Sequence, residues 1–177
     1  MNQAAFQVLA YPRERHVIAD GGRIAARRHT VYGMIEVDVT EPRRVLQEYQ
    51  ARTGETLSFT AFIIACLGKA LDENKMMHAY RDWRNRLIVF DQVDVNTIIE
   101  IEMDGRKVTL PHFLRAVNQR SVRELHTELR AAQRNPEQTR EFGARWFARL
   151  PQFVRDIFYW AVYKNPHLLK KTFCTVG

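Results

Sequence analysis

The chain has 177 residues, 46% hydrophobic and 27% charged, a globular balance that excludes a disordered chain and predicts one domain with a sizeable core. A net charge of +7 is compatible with an anionic partner, but no apolar run reaches membrane-spanning length and the start, MNQAAFQVLAYPRER, lacks signal-peptide order. Cys66 and Cys174 have no ligand-spaced partners, so neither a disulfide framework nor a metal site is expected, and the expected location is cytoplasmic.

VYGMIEVDV (31–39) alternates, with Val31, Gly33, Ile35, Val37 and Val39 on one face, and predicts a strand buried on that face. Thr40 offers an N-cap hydroxyl for a helix through Val45, Leu46 and Tyr49, which Gly54 can end. TAFIIACLGKALDE is apolar nearly all round and predicts a helix buried on most sides. LIVF (87–90) and VNTIIEIE (95–102) read as strands, and Asp104-Gly105 as a tight turn that folds KVTL back into a hairpin. Ser121 and Glu124 match a capping box, which starts a helix with Val122, Leu125 and Leu129 inward and Asn135-Pro136 at its end. A helical stretch through TREFGARWFARL follows, and Pro151 opens another helix, QFVRDIFYWAVYK. This order predicts an α+β, or mixed α/β, two-layer sandwich.

In that last helix, Phe153, Ile157, Trp160, Ala161 and Lys164 share one face. Core or subunit packing is the expected use of that face. A membrane-surface role is set aside because Arg155, Asp156 and Lys164 supply no strongly basic counter-face. The many arginines after position 115 are read as solvated helix faces rather than a nucleic-acid surface, because no RNA- or DNA-binding motif accompanies them.

RIAARR (23–28), MIEVDVT and SFTAFIIACLGKALDE, followed by LPHFLRAVNQRSVRELHTELRAAQ, together resemble the catalytic domain of the 2-oxoacid dehydrogenase acyltransferases, with a chloramphenicol acetyltransferase-like fold. The resemblance runs from about Gly22 to the last residue, so 1–21 is taken as an N-terminal extension and 22–177 as the acyltransferase-like domain. It implies a mixed sheet flanked by helices and a homotrimer with channels between subunits. It also implies coenzyme A or acyl-coenzyme A as substrate, and acyl transfer to a thiol such as dihydrolipoamide. In the family a histidine of an H-x-x-x-D-G motif near the C-terminus takes the proton of the attacking thiol, since the thiolate is the stronger nucleophile. A serine or threonine hydroxyl from the neighbouring subunit stabilises the oxyanion.

HAYRDW offers His78 and Asp82 at the motif's spacing, but Trp83 stands where the motif has glycine, and the stretch lies just after the apolar helix. We read it as the turn that the family carries there, and as a decoy. His16, His29, His112, His126 and His167 are read as surface or packing residues, and Cys174 as inert packing. The C-terminal motif is taken as absent, the domain as C-terminally incomplete without a lipoyl or subunit-binding domain, and no catalytic residue is assigned. Residues lining the coenzyme A channel are left unassigned; Arg115 and Ser121 stand out only by proximity to a matched motif. Three uses remain in view: an acyltransferase domain inactive alone, a non-catalytic scaffold or binding module of the same fold, and, last, a nucleic-acid-binding domain. Membrane contact is not expected.

Overall fold

The computed structural model describes residues 10, 15–26, 33–103, 106–135, 147 and 149–172. Its helices are α1 (Arg15–Ala25), α2 (Thr40–Thr53), α3 (Phe59–Glu73), α4 (Val122–Arg134), α5 (Gln152–Lys164) and α6 (Pro166–Thr172). Its strands are β1 (Tyr80–Arg81), β2 (Leu87–Ile88), β3 (Val95–Met103) and β4 (Arg106–Leu114), with 3-10 turns at Lys75–His78 and Val117–Gln119. Strands β1 and β2 form one antiparallel pair, and β3 and β4 a longer one in which Val95 faces Leu114 and Met103 faces Arg106. The expected hairpin is therefore present, while Asp104-Gly105 lies outside the described residues.

Helices and hairpin make two layers of an α+β domain. Strand β3 alternates as a half-buried strand must: Val95, Ile99 and Ile101 face inward, and Ile98 on the other face is 71% exposed. Ala61, Ile64 and Ala65 of α3 and Leu125, Leu129 and Ala132 of α4 complete this core with Val93, Leu114 and Val117. Helix α4 starts on the expected capping box: Ser121 Oγ accepts the Glu124 N–H at 3.2 Å, and Glu124 accepts the Ser121 N–H at 2.8 Å. Gly54 ends α2 in the left-handed region at φ 73°, donating its N–H to the Gln50 carbonyl at 2.8 Å.

Five expectations change. Residues 33–39 are not a strand: no described strand pairs with them, and Met34 and Ile35 are 99% and 90% exposed. Alternation marks a face suited to burial, but only a partner's ladder bonds make a strand. Thr40 does not cap α2 through its hydroxyl. The Asp38 carboxylate instead accepts the Thr40 N–H at 2.8 Å, and its hydrogen bonding to Thr40 holds its pKa below the ordinary carboxylate value. Helix α3 buries one face only; Ile63, Cys66 and Leu67 are exposed on the other. Helix α5 buries Arg155, Tyr159 and Val162, and the Phe153–Ile157–Trp160 face points outward, so of its two expected uses, core and subunit packing, the first is ruled out within this chain. LIVF is strand only at Leu87–Ile88. Of TREFGARWFARL, most residues lie outside those described.

Helix α1 runs across the expected boundary at residues 21 and 22. It is joined to α5 by a buried ion pair in which Arg155 Nε donates to Asp20 Oδ2 at 2.6 Å, with both side chains under a tenth exposed. Hydrogen bonding to Asp20 raises the Arg155 pKa, and burial pushes the neighbouring Tyr159 hydroxyl up to about 12.

Candidate functional site

Because Val95 and Leu114 are cross-strand partners, the next residues outward, Asp94 and Arg115, meet at the open end of the hairpin. Asp94 is fully buried. Its carboxylate accepts the Ala116 N–H at 2.9 Å and Arg115 Nη1 at 2.8 Å, which holds Ala116 in the left-handed region at φ 50° and fixes the arginine. The same Nη1 donates to the Lys170 carbonyl at 2.9 Å, tying α6 to the hairpin, and Lys170 Nζ donates to Gln92 Oε1 at 2.6 Å. Asn118 completes the frame: its Oδ1 accepts the Val93 N–H at 3.0 Å, and its Nδ2 donates to the Asp91 carbonyl at 3.1 Å.

This frame borders an open cleft of about 930 Å³, walled by Ile88 and Phe90 on one side and edged by Gln92, Arg115, His167 and Lys170. The lining sets Arg115, Lys170 and His167 against the carboxylates of Asp91 and Asp94, and Asp94 already engages one nitrogen of Arg115, so Lys170 beside the apolar wall is the group best placed to meet an anionic portion of a ligand. Among the described residues, the cleft's lining holds no cysteine, serine or threonine. No group of three or more potential ligands able to hold a metal ion occurs among the described residues.

His78 and Asp82 are not hydrogen-bonded to each other. His78 is buried at the end of its 3-10 turn, and neither ring nitrogen has a hydrogen-bond partner among the described residues. Burial and then the Lys75 charge lower its pKa. Asp82 instead organises the β1–β2 turn, accepting the N–H of Arg84 at 2.9 Å, the N–H of Arg86 at 2.8 Å and Arg86 Nε at 2.8 Å. Burial works against its ionisation, but those bonds hold its pKa below the usual value. Other histidines are also in use. His112 pairs with Glu128 at 3.1 Å, and Glu128 with Arg120 at 2.5 Å, linking β4 to α4. His126 Nδ1 accepts the Ser58 N–H at 2.9 Å at the start of α3. His167 lines the cleft, while His29 and Cys174 lie outside the described residues.

The sequence reading missed one stretch. The full H-x-x-x-D-G pattern does occur, at His16–Gly21, ahead of the E-V-D-V-T segment rather than behind it. It lies in α1, where helical spacing sets His16 and Asp20 one turn apart on one face. Asp20 is engaged there by Arg155 and Arg23, so its clearest role is to dock α1 on α5. The Asp94–Arg115 pair carried no local signal either; it follows from the hairpin register, which joins residues 21 positions apart.

No protein-family model matches the chain, and no curated protein sequence does. Solved structures do. The truncated catalytic core of the 2-oxoacid dehydrogenase multienzyme complex from Thermoplasma acidophilum superimposes with a TM-score of 0.59 and 20% identity, over 73% of this chain and 61% of that one. Dihydrolipoamide acetyltransferase from Azotobacter vinelandii gives 0.64 and 17%, over 79% of this chain and 58% of that one. The cubic core of a pyruvate dehydrogenase multienzyme complex gives the same 0.64 and 17%, with 79% and 58% covered. The chain thus spans about three fifths of the length of each of these cores. Over roughly three quarters of its own residues, it has the fold of the 2-oxoacid dehydrogenase acyltransferase catalytic cores.

Proposed function

We propose that the chain is part of an acyltransferase that moves an acyl group between coenzyme A and a thiol acceptor of the dihydrolipoamide type. The observation that carries this reading is the fold shared with acyltransferase cores, joined to the motifs E-V-D-V-T and P-H-F-L-R-A-V. In such a transfer the acceptor thiolate attacks the thioester carbonyl, and the C–S bond to coenzyme A breaks as the new C–S bond forms. A base must first take the thiol proton, and hydrogen-bond donors must meet the transient oxyanion. Arg115 and Lys170 would bind phosphate groups of the carrier, with Phe90 and Ile88 against its apolar portion. The proposed source of the base is the remainder of the fold rather than His78. The proposed working form is a homotrimer in the cytoplasm. The second reading is a binding module of the same fold that holds the carrier without turnover.

Titration calorimetry with coenzyme A, followed by an acetyl-coenzyme A to dihydrolipoamide transfer assay, tests both. Lys170→Met is expected to weaken binding about tenfold, the loss of one charge-assisted contact. Binding with turnover supports the transferase, binding without turnover the module, and no binding removes both.

A further inference from the structure

The outward face of α5 carries Phe153, Ile157 and Trp160, each at least 60% exposed, over a length of about 16 Å to Lys164. The helix itself has too few cations for a membrane-surface helix. The tertiary structure supplies them from elsewhere. Lys164 Nζ lies 3.9 Å from the Trp160 ring and 5.1 Å from the Trp83 ring, so the β1–β2 turn sits beside the C-terminal end of α5. That turn reads Arg81-Asp82-Trp83-Arg84-Asn85-Arg86, with Trp83 58% exposed and the Arg84 guanidinium 4.7 Å from its ring. Its acid, Asp82, is buried and paired with Arg86 at 2.8 Å, and the acid of α5, Asp156, faces Arg23 at 3.4 Å. Arg81, Arg84 and Lys164 form no ion pair with a carboxylate among the described residues. The result is one surface of exposed aromatic and aliphatic side chains bordered by cations.

We propose that this surface, α5 with the 81–86 turn, docks the protein on an anionic phospholipid bilayer. Phe153 and Ile157 enter the acyl boundary, Trp83 and Trp160 sit at headgroup depth, and Arg81, Arg84 and Lys164 meet the phosphates. Charge decides among the occupants. A second copy packed antiparallel would bring these cations to the Phe153 end of its partner, where the one acid of α5, Asp156, already faces Arg23. A single-stranded nucleic acid would satisfy the charge, but its bases need aromatic rings to stack on, and the N-terminal half of this face offers one ring, Phe153, beside the aliphatic Ile157 and the exposed Asp156 carboxylate. An anionic bilayer satisfies both halves of the surface.

The test mixes the full chain with phosphatidylcholine vesicles, with and without phosphatidylserine, and reads co-sedimentation and tryptophan emission. Binding to the phosphatidylserine vesicles, weakened by salt, is expected. Trp83→Ala with Trp160→Ala, and separately Arg84→Glu with Lys164→Glu, should each lower the partition coefficient about tenfold or more. All four side chains are on the surface, and circular dichroism checks that the variants fold. Vesicle binding that is absent, or unchanged in both variants, overturns the proposal. So does a loss of self-association without vesicles in the same variants, which identifies a second copy. Capture of single-stranded RNA without vesicle binding overturns it in favour of nucleic acid.

Discussion

Gly68, in the middle of α3, faces the Val117–Gln119 turn, and a methyl group added there sets two effects of opposite sign against each other. Alanine in a helix interior is favoured over glycine by about 1 kcal/mol. The new Cβ, however, would lie 2.8 Å from Val117 Cγ2 and 3.0 Å from both the Asn118 nitrogen and the Val117 carbonyl carbon. The methyl of Val117 can rotate away, but the two backbone atoms are fixed. The Val117 N–H donates to the Val93 carbonyl at 2.8 Å, and the Asn118 side chain is bonded to Val93, Asp91 and Asp72. Overpacking against rigid backbone costs about 2–3 kcal/mol, so Gly68→Ala should lose about 1–2 kcal/mol net. For a domain of this size that is a fall of about 2–8 °C in Tm, read by circular dichroism. Gly22→Ala supplies the opposite case, since nothing lies within 4 Å of its new Cβ, and α1 should gain up to about 1 kcal/mol. If Gly68→Ala melts higher than the parent, the close approach of α3 to the turn is wrong.

Further outcomes follow from the buried groups. Arg155→Met leaves the buried Asp20 carboxylate with only the half-exposed Arg23 and should cost about 2–3 kcal/mol, whereas Arg155→Met with Asp20→Leu should recover most of it in urea titrations. A double variant no better than the single would refute that account. Ser121→Ala removes an N-cap and should cost about 1 kcal/mol, most of it restored by Ser121→Asp. The His78 pKa lies below its ordinary 6.5 in the folded chain, so the unfolded chain binds the proton first as pH falls. Stability should therefore decline from about pH 6.5 downward to the folded value, and His78→Leu should flatten that decline; an unchanged slope would remove His78 as its source. In any catalytically active form, His78→Ala should leave turnover intact, and a loss of several hundredfold would restore His78 as a base. His16→Ala should likewise leave turnover intact if His16–Gly21 only docks α1 on α5, and a similar loss would make His16 a catalytic candidate.

Much was legible in the sequence where the controlling interactions are short in range. The capping box at Ser121, the stop at Gly54, the alternation of β3 and the start of α5 after Pro151 all rest on residues a turn or a strand apart. The motifs also pointed to the acyltransferase fold, through the resemblance of E-V-D-V-T and P-H-F-L-R-A-V to segments of that family. The tertiary structure alone decided which apolar face is covered. Residues 33–39 and the outer face of α5 have the pattern of buried elements, yet burial requires an opposing surface, which local pattern does not encode. It also decided the sites. Asp94 meets Arg115 through strand register, Asp20 meets Arg155 across 135 residues, and Lys164 lies between two tryptophans, one of them from a distant turn. Such pairs depend on how elements cross in space, so residue spacing can propose a motif such as His78 and Asp82 while packing assigns its parts to separate tasks.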